Sequence, residues 1–367
     1  MREQDLGAAL RAAHPELEVV RQATGEPVYL VGGAVRDLLL GRPRADVDLV
    51  VEGDAAGLAE RLGGVGAEHE RFGTVKVEVD GHELDIATAR SETYPEPGSL
   101  PVVAPAQSIE EDLDRRDFTI NAMAVPLDGE SRLIDPRGGS EDLERGLLRV
   151  LHPRSFEDDP TRAIRAARYA SRYGLTLEPE TDRLLRRADL ATVSADRRRA
   201  ELERLAAEPT GVVGLGLLAG WGVIDLREGG VELMESVEDL LKVPHWAELV
   251  PREQALIAAA LGPEGTEKVL ASMWAPNPGE GVELAERRDP VELILARAMG
   301  ASWLDLYLTI WRKIELEIDG GDLIAQGIPQ GPAVGRGLRA ARLKKLEGEI
   351  SGREEELATA LAAALRD

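Results

Sequence analysis

The chain has 367 residues, 43% of them hydrophobic, enough for two or three domains with cores of their own. It contains no cysteine, which excludes a disulfide framework, a cysteine nucleophile and thiolate-bound zinc or iron–sulfur centres. The formal net charge of −23 favours solubility, so any contact with a polyanion has to rest on a local basic patch. The start Met1-Arg2-Glu3-Gln4-Asp5 lacks the apolar stretch of a signal peptide, and no apolar run approaches the ~20 residues of a membrane span. A soluble, cytoplasmic protein with no membrane partner is expected.

Val28-Tyr29-Leu30-Val31 reads as a buried strand that ends in Gly32-Gly33, a turn without side chains whose N–H groups can approach a phosphate closely. Nine residues after Asp37 begins Asp46-Val47-Asp48-Leu49-Val50-Val51, an apolar and β-branched strand pattern. Alternation sets Asp46 and Asp48 on one face, ~6.5 Å apart, where two carboxylates can bridge divalent ions. A phosphate-binding turn beside such a pair is a minimal kit for two-metal phosphoryl or nucleotidyl transfer. Residues 75–79 and 83–87 form a predicted hairpin around Asp80-Gly81. In its second strand Asp85 interrupts an apolar alternation, either as a third metal ligand or as an exposed strand residue. From Arg90 to Ser108 runs a Pro-rich segment without a regular pattern, expected to be a long loop between strand and helix, and such loops are usually functional.

The run Arg115-Arg116-Asp117-Phe118-Thr119-Ile120-Asn121-Ala122-Met123-Ala124 follows, then Asp135-Pro136-Arg137-Gly138-Gly139 with Asp142-Leu143. Asp159-Pro160 has the signature of a helix start, Asp as N-cap and Pro in the first turn. Arg162, Arg165, Arg168 and Arg172 then recur three to four apart and share one helix face. Residues 149–204 hold 13 arginines against 10 acids, a basic stretch in an acidic chain, and include Arg197 and Arg198 behind a Ser194 helix start. From about residue 206 the pattern is helical, with segments at 252–261, 290–299 and 303–317 separated by Gly/Pro breaks. Trp221, Trp246, Trp274, Trp303 and Trp311 sit among aliphatic residues and are expected in the core. Near the end, Gly331-Pro332 precedes the cations Arg336, Arg339, Arg342, Lys344 and Lys345. The five histidines show no metal-ligand spacing.

Gly-Gly-x-Val-Arg-Asp, Asp-x-Asp, Arg-Arg-Asp-Phe-Thr-Ile-Asn-Ala-Met-Ala and Asp-Pro-Arg-Gly-Gly, in this order, closely resemble the motifs of the class II tRNA nucleotidyltransferase and bacterial poly(A) polymerase family. The resemblance runs over about residues 25–205 and returns weakly at the C-terminus. It implies an α+β fold: a nucleotidyltransferase head (1–145) with a small mixed, mostly antiparallel sheet, followed by an all-α neck (146–205), body (206–320) and tail (321–367). It implies magnesium on Asp46 and Asp48, with Asp85 as third catalytic acid. Gly32, Gly33 and Arg36 would bind the triphosphate, and Arg116, Asp117 and Asn121 the ribose and phosphates. Asp159, Arg162, Arg165 and Arg168 would complete the nucleotide site, and Arg197, Arg198, Arg336 and Arg339 would face RNA.

The family reads the incoming base with a Glu-Asp-x-x-Arg motif, which Asp158-Asp159-Pro160-Thr161-Arg162 fits with Asp in the Glu position; a register begun at Glu157 puts Thr161 where arginine is needed. A carboxylate only accepts, so Asp159 suits the exocyclic amino group of C or A, while Arg162 donates to a ring nitrogen or to cytosine O2. Uracil O4 and guanine O6 would meet the carboxylate acceptor to acceptor. The resemblance implies template-independent addition of CMP and AMP, from CTP and ATP, to the tRNA 3′ end. The terminal 3′-hydroxyl would attack the α-phosphate with release of pyrophosphate. Addition of A alone, poly(A) synthesis and a catalytically inactive RNA-binding protein are the alternatives, and a loop in the place of residues 91–107 is what lets family members switch from C to A. Oligomeric state is not legible.

Overall fold

The computed structural model describes residues 3–366 apart from 43–46, 64–67, 70–73, 129–131, 263–270 and 272–276, so Asp46 and Trp274 lie outside the described residues. The chain divides into two compact units, Met1–Ile224 and Asp225–Asp367. The first unit holds both the expected head and the expected neck. No helix among the described residues is long and apolar enough to cross a membrane.

The first unit is built on β1 (Val28–Val31), β2 (Val47–Val51), β3 (Glu68–His69), β4 (Thr74–Val79), β5 (His82–Thr88) and, beyond a separate pair β6 (Arg90–Thr93) and β7 (Val102–Pro105), β8 (Ala124–Pro126). The main sheet has the order β3-β4-β5-β2-β1-β8. Only β2 and β5 run parallel, and their register pairs Asp48 with Asp85. The β4–β5 hairpin turns through Asp80 and Gly81, both with positive φ (51° and 77°), the mirror-image turn that matches strand twist. β1 is buried on both faces, as is β2 apart from the exposed Asp48, which is why both read as nearly continuous apolar runs, whereas β4 alternates buried and exposed residues. Val28, Leu30, Leu49, Val51, Leu84 and Ile86 pack against Val35, Leu38 and Leu58 on one face. Tyr29, Val31 and Val50 meet Ile109 and Leu113 of helix Ile109–Asp114 on the other. Alternation puts Asp48 and Asp85 on this second face.

The segment expected as a long loop is instead the β6–β7 hairpin, with only residues 94–101 between its strands. Helix Thr161–Tyr173 turns Ala163, Ala166, Ala167 and Ala170 toward Phe118, Leu148, Phe156 and Leu185, small residues that let the helix backbone approach the head. Asp135 accepts from the Gly139 and Ser140 amides (2.7 and 2.9 Å), so the Asp-Pro-Arg-Gly-Gly motif is a helix cap.

The second unit is helical among its described residues. The segment 252–261 is a helix as expected, whereas that at 290–299 ends at Ala298 and that at 303–317 stops at Thr309, because Ile310 leaves helical geometry (φ −123°). Trp246, Trp303 and Trp311 are buried, as expected for core residues, and Trp221 is packed at the edge of the neck cluster. Trp303 stacks on Trp311 (6.3 Å), and the latter occupies the space a Cβ on Gly281 would need.

Two glycines separate steric need from mere tolerance. A Cβ at Gly139 would lie 2.1 Å from the Thr119 carbonyl oxygen, whereas one at Gly216, inside helix Gly211–Gly220, meets nothing within 4 Å. Gly139→Ala should therefore destabilise by about 1–3 kcal/mol, and Gly216→Ala should stabilise by roughly 0.5–1 kcal/mol. Thermal unfolding of the two variants checks the opposite signs.

Candidate active site

An open cavity of about 830 Å³ lies between the sheet and helix Thr161–Tyr173, lined by Gly32, Gly33, Arg36, Asp48, Asp85, Arg116, Asp117, Asn121, Asp159, Arg162, Arg165, Arg168 and Arg197 among others. The structure thus gathers into one cleft every described residue expected at the metal and nucleotide sites. Asp46 lies outside the described residues.

On the floor, Asp48 and Asp85 are direct neighbours across the parallel ladder, whose strands are ~4.8 Å apart. One Asp85 carboxylate oxygen, Oδ1, is buried and accepts no hydrogen bond, with Lys76 Nζ at 3.5 Å. Hard carboxylate oxygens on one face, one of them approached only by the Lys76 ammonium at 3.5 Å, fit a divalent cation. Among the described residues no third histidine, cysteine or acid joins the pair.

Arg36 is buried, and its guanidinium is held on every side. It donates from Nε to Asp37 Oδ1 (2.9 Å), from Nη1 to Asn121 Oδ1 (2.6 Å) and from Nη2 to the Tyr173 hydroxyl (2.5 Å), and it lies 4.3 Å above the Tyr173 ring. The Tyr173 hydroxyl in turn donates to Asp37 (3.0 Å). Arg36 thus lines the cleft while tying helix Gly33–Leu39 to the neck and orienting Asn121. The Gly32-Gly33 turn opens that helix with φ +64° at Gly32, and a Cβ there would come within 2.6 Å of Arg116 Nη1.

Two buried carboxylates organise the remaining arginines. Asp117 accepts from the Phe118 amide (2.8 Å), Asn121 Nδ2 (3.0 Å) and Arg165 Nε (3.1 Å). Burial pushes its carboxyl up, but Arg165 and these donors outweigh burial and hold it below the usual range. Asp112 takes hydrogen bonds from both Arg115 and Arg116, and it too is held low against the cost of burial. Sequence reasoning missed Asp112, although its i, i+3 and i, i+4 spacing to the two arginines was a usable signal. It also missed Tyr169 and Tyr173, spaced four apart on the arginine helix.

Asp159 caps helix Thr161–Tyr173 from one residue before its Pro160 N-cap, accepting from the Thr161 amide (3.1 Å) and hydroxyl (2.6 Å). The same Oδ1 accepts from Arg197 Nη2 (3.1 Å). Arg197 Nη1 donates to the Gly98 carbonyl (2.7 Å), and the Gly98 amide reaches the carbonyls of Glu157 and Asp158. The tip of the β6–β7 hairpin is therefore seated on the neck. Arg162 is almost fully buried, donating to Ser155 Oγ (2.5 Å) and the Arg115 carbonyl (3.0 Å), while its Nε has no partner. Asp158 pairs with Arg154 (3.1 Å) rather than with Arg162.

The residues expected to face RNA are engaged with protein. Arg198 donates to the Leu190 carbonyl (3.2 Å), and Arg197 is committed to the cleft. In the second unit Arg339 pairs with Glu283 (2.5 Å), and Arg336 donates to the Arg366 carbonyl (3.3 Å).

The family model for the poly(A) polymerase head domain matches residues 28–149. The A-adding tRNA nucleotidyltransferase of Aquifex aeolicus is 50% identical over 166 residues, 44% of this chain and 20% of that protein. The CC-adding tRNA nucleotidyltransferase of Deinococcus radiodurans is 37% identical, the match covering 92% of this chain and 89% of the relative. Against the A-adding relatives the chain spans less than half their length, 20% to 45%. Among solved structures, an apo form of a CCA-adding enzyme superposes with a TM-score of 0.84 at 29% identity over 98% of this chain and 99% of that one. The Thermotoga maritima CCA-adding enzyme complexed with tRNA-CCA gives 0.75 at 30% identity, covering 97% and 98%. With 37% identity to the Deinococcus relative along nearly its whole length and residues of the first three motifs meeting in one cleft, the chain belongs to the class II tRNA nucleotidyltransferase family.

Proposed function

We propose that the protein adds CMP and AMP, taken from CTP and ATP, to the 3′ end of tRNA without a template, in the cytoplasm where its tRNA substrate is found. The observation that carries this reading is the pairing of Asp48 with Asp85 on the floor of the arginine-lined cleft. These two carboxylates, with Asp46, would hold magnesium, which when bound offsets charge on the attacking and leaving oxygens. Arg168 lies in the cleft, held by a 3.8 Å approach to Glu201, a 3.4 Å bond to the Tyr169 hydroxyl and a 5.2 Å cation–π contact with the Tyr169 ring, and would offer its cation to a triphosphate. Arg116, Asp117 and Asn121 would orient the ribose and phosphates beside the Gly32-Gly33 turn. Asp159 and Arg162 would offer an acceptor and a donor to the Watson–Crick edge, selecting C and A. The 3′-hydroxyl of the tRNA would then attack the α-phosphate, with pyrophosphate leaving. Relatives matched over nearly the whole chain, bearing the names CC-adding and CCA-adding, support this reading. The 50% identity of residues in the A-adding Aquifex relative favours a second one, addition of A alone.

Asp48→Asn and Asp85→Asn should each reduce incorporation into tRNA by at least about a hundredfold, a loss of several kcal/mol of transition-state stabilisation. Unfolding temperature and tRNA affinity should hold, and turnover within tenfold of the parent in both variants would contradict the assignment.

Arg162→Lys keeps a positive charge and loses the guanidinium fork. The preference for CTP over UTP in kcat/KM should drop about tenfold to a hundredfold, the ~1–3 kcal/mol of one bidentate contact, and unchanged preference with native stability would leave Arg162 a purely structural residue.

A further inference from the structure

Asp112 is wholly buried, and no step of the proposed reaction uses it. It sits on helix Ile109–Asp114, whose Ile109 and Leu113 pack on the sheet face that carries Asp48 and Asp85. Its Oδ1 accepts from Arg115 Nε (3.0 Å), Arg115 Nη2 (2.9 Å) and the Arg90 amide (3.1 Å). Its Oδ2 accepts from Arg116 Nε (3.3 Å) and Nη2 (3.0 Å). Both guanidiniums are therefore gripped along the same edge, which leaves each Nη1 pointing away from the carboxylate. That of Arg115 reaches Glu92 (2.8 Å), and that of Arg116 lies over Gly32, at the turn where a triphosphate would sit.

We infer that Asp112 is a positioning residue for nucleotide binding: one buried carboxylate fixes two cleft arginines at once, so that Arg116 presents Nη1 to the incoming nucleotide without paying for its own immobilisation on binding. The inference rests on the reading of Arg116 as a nucleotide contact. A residue that only stabilised the fold would lower the unfolding temperature and leave the KM of correctly folded enzyme alone. A positioning residue moves KM in the folded protein.

The test is steady-state kinetics of the full chain with tRNA and CTP or ATP. Asp112→Asn turns one acceptor oxygen into a donor facing a guanidinium, and it should raise KM for both nucleotides at least tenfold with kcat within threefold. Arg116→Ala should raise KM similarly, and adding Asp112→Asn to it should change KM by less than threefold. If Arg116→Ala leaves KM unaltered, the reading of Arg116 fails and the inference with it. If Arg116→Ala raises KM and Asp112→Asn does not, or if Asp112→Asn acts equally in both backgrounds, the inference alone is overturned. Asp112→Glu, which keeps the charge and shifts it by one methylene, should raise KM by a smaller factor at unchanged kcat. That variant carries the test where Asp112→Asn does not fold, and an unaltered KM in it overturns the inference.

Discussion

Everything in the cleft depends on buried carboxylates that hold guanidiniums in place. Moving an ion out of water costs several kcal/mol even after relaxation, and the cost is recovered only with close partners and full hydrogen bonding. Asp112 meets that condition by bridging Arg115 and Arg116, and Asp117 by combining Arg165, Asn121 and a backbone amide. Removing one partner of such a pair leaves a charge stranded and typically costs 3–5 kcal/mol. The arrangement lets many like charges line one wall without mutual repulsion opening it.

The same logic explains how an acidic protein can handle polyanions. The chain carries −23 overall, yet the cavity is lined by arginines from the head, the hairpin and the neck. Concave walls of one sign focus the local field regardless of net charge. Arg36 makes the cleft a single piece: stacked on Tyr173 and bonded to Asn121, it couples the glycine turn to helix Thr161–Tyr173. A nucleotide held between Gly32 and Asp159 would therefore meet walls already fixed with respect to each other, so less binding free energy is lost to ordering them.

Much of this was legible in the chain because it is local. The Asp80-Gly81 turn, the apolar runs of β1 and β2, the Asp159-Pro160 helix start and the arginine spacing from Arg162 to Arg172 are all encoded within a few residues of one another. The parallel register that brings Asp85 beside Asp48 was not, since it pairs residues 37 positions apart in the chain, a pairing that periodicity alone cannot choose. The β6–β7 hairpin escaped for a different reason. Its strands are short and Pro-flanked, and its tip is held by tertiary contacts of Gly98 with Glu157, Asp158 and Arg197 rather than by turn chemistry. The ion pairs of the tail arginines were not legible because their partners, such as Glu283 for Arg339, lie far away in sequence.

Nucleotide-resolved extension of tRNA transcripts tests the central claim most directly, each transcript being offered one labelled triphosphate at a time. A transcript lacking the whole terminal CCA should gain CMP from CTP, and one ending in CC should gain AMP from ATP, with UTP and GTP incorporated poorly into either. Incorporation of UTP or GTP as readily as CTP and ATP, or no CMP added to the shortened transcript, would contradict the account.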